Sequence, residues 1–348
     1  GQLGGVSIQR ICLGNVDRWP FPIFPDVLSG ERIRGEFSIG LYDLMLNSAK
    51  YREFCRPDLV LHLGGRITSK RLQDHIATVR PDTYVHINES SQKLDPGHCV
   101  TWQLRGSLQY LTDSQFEKMS IAPNGEWIAT HERANSLAAA AVSEALANEQ
   151  SLTELVVPQL VFDALKMDES VFLGNSMPIR YADQICTSTA VDTHVLANRG
   201  TSGIDGTIAT ACGLSRNYED RVHAIIGDLA ALHDLNSLSL LKSEGVRVTL
   251  IILNNNGGGI FHFLPIVEHT DVFEKYFGTP HGLYFEDAAR MFGLPYARPT
   301  TKNEFIEAFQ ISRESGGSSI IEVVTDREEN LHLHRKISDA VVKALENL

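Results

Sequence analysis

An aspartate closes one apolar run of the chain, His223–Asp228, and amides and glycines, Asn254–Gly259, close the next. A carboxylate, an amide oxygen and a backbone carbonyl at a glycine are all hard oxygen donors. They suit Mg2+, which keeps part of its octahedron for water and phosphate oxygens. Asp228 and Asn255, with a backbone carbonyl of the glycine run, therefore form a candidate divalent-cation site. Gly257, Gly258 and Gly259 lack the Cβ that would hold a phosphate away from the backbone. Together, the two run ends predict a clamp for a magnesium diphosphate. Taken singly, Asp228 also fits a helix N-cap, and the amide–glycine run also fits a plain turn.

Such groups converge only if the runs that carry them are neighbouring strands. Short apolar runs recur at Asp58–Gly65, Thr83–Ser90, Ser170–Ser176, Thr193–Gly200, His223–Asp228, Arg247–Asn255 and Ser318–Asp326. Continuous apolar runs of this length suit strands buried on both faces. Helical segments lie between them. Leu229, Leu232, Leu235, Leu238 and Leu241 recur at three-residue steps and stop at Gly245, a C′ glycine. Ser151 with Glu154, and Thr301 with Glu304, have capping-box spacing. The alternation predicts an α/β protein with doubly wound parallel sheets. In that class ligands collect outside the carboxyl ends of the strands, near helix N-termini. Asp228 and Asn255 fall at such ends. Lys70 and Arg71 follow another, either as ligand groups or as a solvated basic pair at a helix start. The stretch from Ser120 to Ser151, turn-rich and then alanine-rich, predicts a seam: residues 1–125, a connecting helix 126–150, and residues 151–348.

Composition sets the outer limits. The chain has 348 residues, 43% hydrophobic and 21% charged, the mix of a globular protein with a sizeable core and room for two domains. Its 31 Lys and Arg against 43 Asp and Glu give a net charge of −12. With no basic tract, that acidity argues against nucleic acid or an anionic membrane as partner. An anionic ligand would need a few local Arg and Lys side chains. Cys12, Cys55, Cys99, Cys186 and Cys212 are scattered, which predicts buried thiols in a reducing compartment rather than disulfides or a zinc site. No apolar run has the length of a membrane span. His332 and His334 alternate as in a strand, without metal-ligating companions, and His131 in "HERAN" reads as a helix start.

Gly227-Asp228 followed by Asn254-Asn255 resembles the thiamine diphosphate (ThDP) fingerprint, with Leu229 where its last glycine usually stands. That variant, with "ALHDLNSL" and "NNNGGGIFHFLP" after it, resembles the MenD family of 2-succinyl-5-enolpyruvyl-6-hydroxy-3-cyclohexene-1-carboxylate synthases. "GNSMPIR" (Gly174–Arg180), "NRGTSGIDG" (Asn198–Gly206), "SKRL" (Ser69–Leu72) and "HGLYFEDAARMFGLPYARP" (His281–Pro299) match it further. The resemblance implies a ThDP-binding fold: a transhydrogenase-like central domain over 1–125, incomplete at its start, and a diphosphate-binding domain over 151–348.

It also implies ThDP with Mg2+ or Mn2+ as cofactors, decarboxylation of 2-oxoglutarate, and conjugate addition of the succinyl carbanion to isochorismate. By that resemblance Asp228, Asn255 and Gly257 hold the metal, Gly203, Gly227, Leu229 and Gly258 border the cofactor, and Ile204 wedges it into a V shape. Arg180, Arg199, Lys70 and Arg71 would bind the dianionic substrates, and Asn175 and Ser176 would hydrogen-bond intermediates. Ile260, Phe261 and Leu264 would keep water from the carbanion. The family's N-terminal pyrimidine-binding domain, whose glutamate activates ThDP, has no counterpart in this sequence, so impaired turnover by the isolated chain is expected. The full-length protein is expected to be a homodimer or homotetramer, cytoplasmic in a prokaryote or plastidic in a photosynthetic eukaryote. Two alternatives stand beside this reading: another ThDP decarboxylase or acetohydroxyacid-synthase relative, and a non-catalytic module that needs a partner chain.

Overall fold

The computed structural model describes residues 21–29, 38–106, 124–187, 193–218 and 220–348, so Cys12 lies outside the described residues. The chain forms two compact units. The first takes in Gly1–Ala145, Asp183–Ser188 and Ile337–Leu348; the second takes in Leu146–Ala182 and Thr189–Lys336.

A parallel three-stranded sheet of β1 (Leu59–Leu63), β2 (Thr83–Asn88) and β3 (Trp102–Arg105), in that order, lies in the first unit. β1 and β2 match the apolar runs. β3 escapes the pattern because all four of its residues are exposed and carry no buried stripe. The helix Lys70–Val79 links β1 to β2, and its N-cap Ser69 accepts a hydrogen bond from the Leu72 amide. His131 lies within the long helix Gly125–Ala147, fully buried against the Tyr51 hydroxyl at 2.7 Å, rather than at a helix start. Cys55, Cys186 and Cys212 are buried, and Cys99 is half-buried.

The second unit holds a six-stranded parallel sheet in the order β5-β4-β6-β7-β9-β8. Its strands are β4 (Glu169–Leu173), β5 (His194–Leu196), β6 (Arg221–Gly227), β7 (Val248–Asn254), β8 (Tyr296–Ala297) and β9 (Ser319–Val324). β7 is buried throughout and β6 all but so, as their apolar runs require. The chain leaves β4 toward β5 on one side and returns to lay β6 on the other. From β6 it continues outward to β7. The direction of winding therefore reverses between β4 and β6, which opens a crevice at their carboxyl ends, where ligands of such sheets bind.

Local chemistry explains the departures from pattern. The leucine series begins in the helix Asp228–His233 and ends in a 3-10 helix, Leu235–Lys242. A three-residue step is the 3-10 period, not the α period. Asp234 sits at the junction, its carboxylate accepting from the Ile208 and Ala209 amides at 2.6 and 3.0 Å. The Thr301–Glu304 capping box forms as expected. Ser151 and Glu154 do not form one: the next helix starts at Val156 without a side-chain cap, and Glu154 is buried elsewhere. His332 and His334 lie on the helix Arg327–Ala344, not in a strand.

At the opposite ends of the strands, Glu169 takes a bidentate pair of bonds from Arg313, 2.8 and 3.0 Å long. Burial alone would raise its carboxyl. His223, 3.4 Å away, and Arg313 overcome that and hold it at about 2, against an ordinary 4.5. The stabilisation is present above the ordinary value and disappears as the pH falls from there toward 2. Urea unfolding at stepped pH is expected to show this loss, and Glu169→Gln to flatten the profile over that window. An unchanged profile in the variant would mean that the pair carries no acid sensitivity.

Candidate active site

The segments after β4 and β6 build the crevice. Gly174 directly succeeds β4, donates its amide to the Ile225 carbonyl at 2.8 Å, and has β6 so close that a Cβ would lie 3.1 Å from the Ile226 Cα. Asn175 comes next. Its Nδ2 donates to the Gly203 carbonyl at 2.8 Å, and its Oδ1 accepts from Arg199 at 2.9 Å. One buried amide thus fastens the Asn198–Gly206 loop, with Ile204 packed half-buried against the core, to the end of β4. Ser176 adopts a left-handed backbone, φ 71°, and its carbonyl accepts from the Arg180 guanidinium. A non-glycine residue held in that conformation is strained by about 1–3 kcal/mol, a cost often found at functional sites.

β6 ends at Gly227, which is the N-cap of the short helix that Asp228 opens. Asp228 is not the N-cap of that helix: one oxygen of its side chain stays on the helix's first turn and the other reaches the loop after β7. Its Oδ1 accepts from the Leu229 amide at 2.7 Å, and its Oδ2 accepts from the Gly257 amide at 2.8 Å and from His281 Nε2 at 3.1 Å. The Leu283 amide donates to His281 Nδ1 at 3.0 Å, which fixes the ring proton on Nε2. Burial raises the Asp228 carboxyl above its ordinary value, and the bonds from His281, Gly257 and Leu229 offset part of that rise.

The three consecutive asparagines have three different jobs. Asn254 points inward: its Nδ2 donates to the Leu283 carbonyl at 2.9 Å and to buried Glu322 at 2.6 Å. Asn256, at φ 61°, accepts the His281 and Gly282 amides on its Oδ1 at 2.9 and 2.7 Å, holding the His281 loop beside Asp228. Asn255 donates through Nδ2 to Glu154 at 2.9 Å, while its Oδ1 is buried and accepts no hydrogen bond among the described residues. An orphaned buried acceptor is costly, about 1–3 kcal/mol, unless something outside the chain meets it. A cation would do so, and the Asp228 carboxylate accepts from the Gly257 amide of the same turn. These donors fit Mg2+ on a diphosphate.

The glycines serve the turn in a way that spacing alone does not reveal. A Cβ at Gly257 would lie 1.9 Å from the Gly278 carbonyl oxygen, and one at Gly258 would lie 2.1 Å from that of Phe277. What forbids a side chain is the 277–279 backbone of the chain itself, rather than a phosphate alone. The Gly257 carbonyl accepts from the Gly259 amide at 3.0 Å, which leaves a second lone pair.

Ile260 and Phe261, on the 3-10 turn Gly259–Phe263, are half-buried, and Phe261 packs edge-on against Phe277 at 5.3 Å. Leu264 is 47% exposed, so Ile260 and Phe261 carry most of the apolar wall. Lys70 and Arg71 belong to the first unit, where each has a local carboxylate. Lys70 is solvated and pairs with Asp74 at 2.5 Å; Arg71 bonds to the buried Asp43, which Ser69 and Gln184 also hold. His281, Glu154 and Glu322 carry no signal in the sequence that marks them as part of the site.

The family model described as "Middle domain of thiamine pyrophosphate" matches residues 14–173. "Thiamine pyrophosphate enzyme, C-terminal TPP binding domain" matches residues 179–323, the stretch that carries Arg180, Arg199, Asp228 and Asn255. The 2-succinyl-5-enolpyruvyl-6-hydroxy-3-cyclohexene-1-carboxylate synthase of Rubrobacter xylanophilus is 41% identical over 319 residues, covering 91% of this chain and 55% of the relative. The chain belongs to the MenD family. The synthases so named from Salinibacter ruber (36% over 334 residues, 94% of this chain, 55% of the relative) and Chlorobium phaeovibrioides (38% over 317, 91% and 54%) are further relatives. The chain spans about half the length of these MenD relatives. Among the described residues no helix is long and apolar enough to cross a membrane.

Proposed function

We propose that this chain serves a ThDP- and Mg2+-dependent transferase that decarboxylates 2-oxoglutarate and joins the succinyl unit to isochorismate. The product would be 2-succinyl-5-enolpyruvyl-6-hydroxy-3-cyclohexene-1-carboxylate, on the way to menaquinone or phylloquinone. One observation carries the reading: the buried, unpartnered Oδ1 of Asn255 on the turn that Asp228 grips. Asp228, Asn255 Oδ1 and the Gly257 carbonyl would hold Mg2+ (or Mn2+), with Gly203, Gly227, Leu229 and Gly258 bordering the cofactor and Ile204 shaping it. When bound, ThDP supplies the electron sink for the carbanion left by loss of CO2.

The chain's own residues do the rest. Arg180, on the helix Met177–Ile185 that follows β4, and Arg199, on the loop tied to Asn175, present guanidinium groups that suit carboxylates because they bond bidentately. In an acidic protein they supply the local positive charge a dianion needs. Asn175 and Ser176 stand beside them as hydrogen-bonding groups. Ile260 and Phe261, with Leu264 at the margin, exclude the water that would protonate a carbanion. Lys70 and Arg71 pair with Asp74 and Asp43 in the first unit. The same reading takes residues 1–125 as the central domain and 151–348 as the diphosphate-binding domain. It also takes the full-length protein as a homodimer or homotetramer, in the cytoplasm or, in a photosynthetic eukaryote, the plastid.

The test supplies full-length protein with ThDP, Mg2+, 2-oxoglutarate and isochorismate and follows CO2 and product by mass spectrometry. Product is expected only with all four present. Turnover of pyruvate in place of 2-oxoglutarate would favour the acetohydroxyacid-synthase alternative.

A further inference from the structure

The amide of Asn255 has two ends, and a cation is attracted by only one of them. Which end faces the site is decided behind it. Glu154, 2% exposed on the turn before the helix Val156–Ala164, accepts the Asn255 Nδ2 at 2.9 Å. That oxygen serves as an acceptor, so the contact takes the NH2 end of the amide and leaves Oδ1 facing the other way. The carboxylate is itself held on every other side. Thr325 Oγ1, just past β9, donates to the same oxygen at 3.1 Å. The Tyr181 hydroxyl also bonds to Glu154, and its own oxygen accepts from the Asn330 amide. Glu154 therefore has three donors around it: Asn255, Thr325 and Tyr181.

We propose that Glu154 is a positioning residue for the divalent cation: without touching the metal, it fixes the Asn255 amide with Oδ1 toward it. This rests on the magnesium reading above. Outer-shell partners of this kind orient the ligand, and their loss typically weakens metal binding by about 10–100-fold.

The experiment measures Mg2+ affinity, in the presence of ThDP, by calorimetric titration of the full-length protein. Glu154→Met removes the acceptor at nearly constant length and is expected to weaken Mg2+ by about 10–100-fold. Glu154→Gln keeps an acceptor oxygen and is expected to restore most of that affinity. Where methionine is not tolerated, Glu154→Asp keeps the charge but draws the acceptor back, and about a 10-fold loss is expected. In an Asn255→Ala background, Glu154→Met is expected to add nothing, because both act through one amide. A purely structural role would instead give additive losses and no rescue by glutamine. Additive losses, or wild-type affinity in Glu154→Met and Glu154→Asp, would overturn the proposal. Unchanged Mg2+ dependence in Asn255→Ala would overturn the magnesium reading itself, a distinguishable failure.

Discussion

Asp228→Asn is expected to weaken Mg2+-dependent ThDP binding by about 10³-fold, roughly 4 kcal/mol at 1.4 kcal/mol per decade. Part of the loss is charge. Asp228 is 2% exposed and supplies a full negative charge to the turn that also carries the Asn255 oxygen, and an amide brings none. The rest is geometry. The Asp228 oxygens accept from three donors: the Leu229 amide, the Gly257 amide and His281 Nε2. An asparagine can keep one side of that arrangement, but its NH2 must then face N–H groups on the other. His281 cannot relieve the clash by moving its proton, because its Nδ1 already accepts the Leu283 amide. The substitution that looks gentlest on paper therefore disturbs the 255–259 turn as well as the charge. Calorimetric titration of ThDP, with and without Mg2+, reads the effect. Wild-type affinity in the variant, or wild-type binding indifferent to Mg2+, would sink the clamp.

The candidate ligands are legible from sequence because of where they stand. An apolar run has a readable end, and in a parallel sheet the carboxyl ends of adjacent strands meet, so Asp228 and Asn255 can be placed together without knowing a single contact. Strands buried on both faces announce themselves; β3, exposed throughout, and β8, two residues long at the sheet edge, do not. The residues that set the ligands' orientation stay hidden. Glu154 reaches Asn255 across 101 positions and His281 reaches Asp228 across 53, and neither separation has any periodicity. Glu154 even misleads: Ser-x-x-Glu has capping-box spacing, yet here the carboxylate is drawn inward by Asn255, Thr325 and Tyr181 instead. The leucines at three-residue steps carry their own answer, since that step is the 3-10 period and Leu235–Lys242 is a 3-10 helix. The asparagine triplet shows the same limit in miniature. Its three side chains go inward, toward the site and onto the next loop, and one-dimensional spacing cannot separate those directions.

Gly257→Ala is expected to destabilise the second unit by about 3–4 kcal/mol, a shift of roughly 10 °C in melting temperature. Two costs combine. The backbone at Gly257 has φ 136°, a region that an L side chain rarely adopts. The added methyl would also overlap the Gly278 carbonyl oxygen at 1.9 Å, with the Gly278 carbon at 3.1 Å and the Thr279 oxygen at 3.2 Å behind it. That carbonyl is not free to retreat. It accepts the Gly258 amide at 2.8 Å, and its segment is tied to the helix Arg327–Ala344 by the Arg327–Glu274 pair at 3.0 Å. Relief therefore requires moving the glycine turn, which breaks the bond from the Gly257 amide to Asp228 and loosens Asn255 with it. Stability and Mg2+ affinity should fall together. Gly282→Ala is the control: its φ is also positive, 65°, but nothing lies within 4 Å of an added Cβ, so about 1 kcal/mol of backbone strain is expected and no steric cost. Differential scanning calorimetry of the two variants separates the contributions. Equal melting temperatures would mean that the close approach of the 277–279 backbone is not what keeps this position glycine.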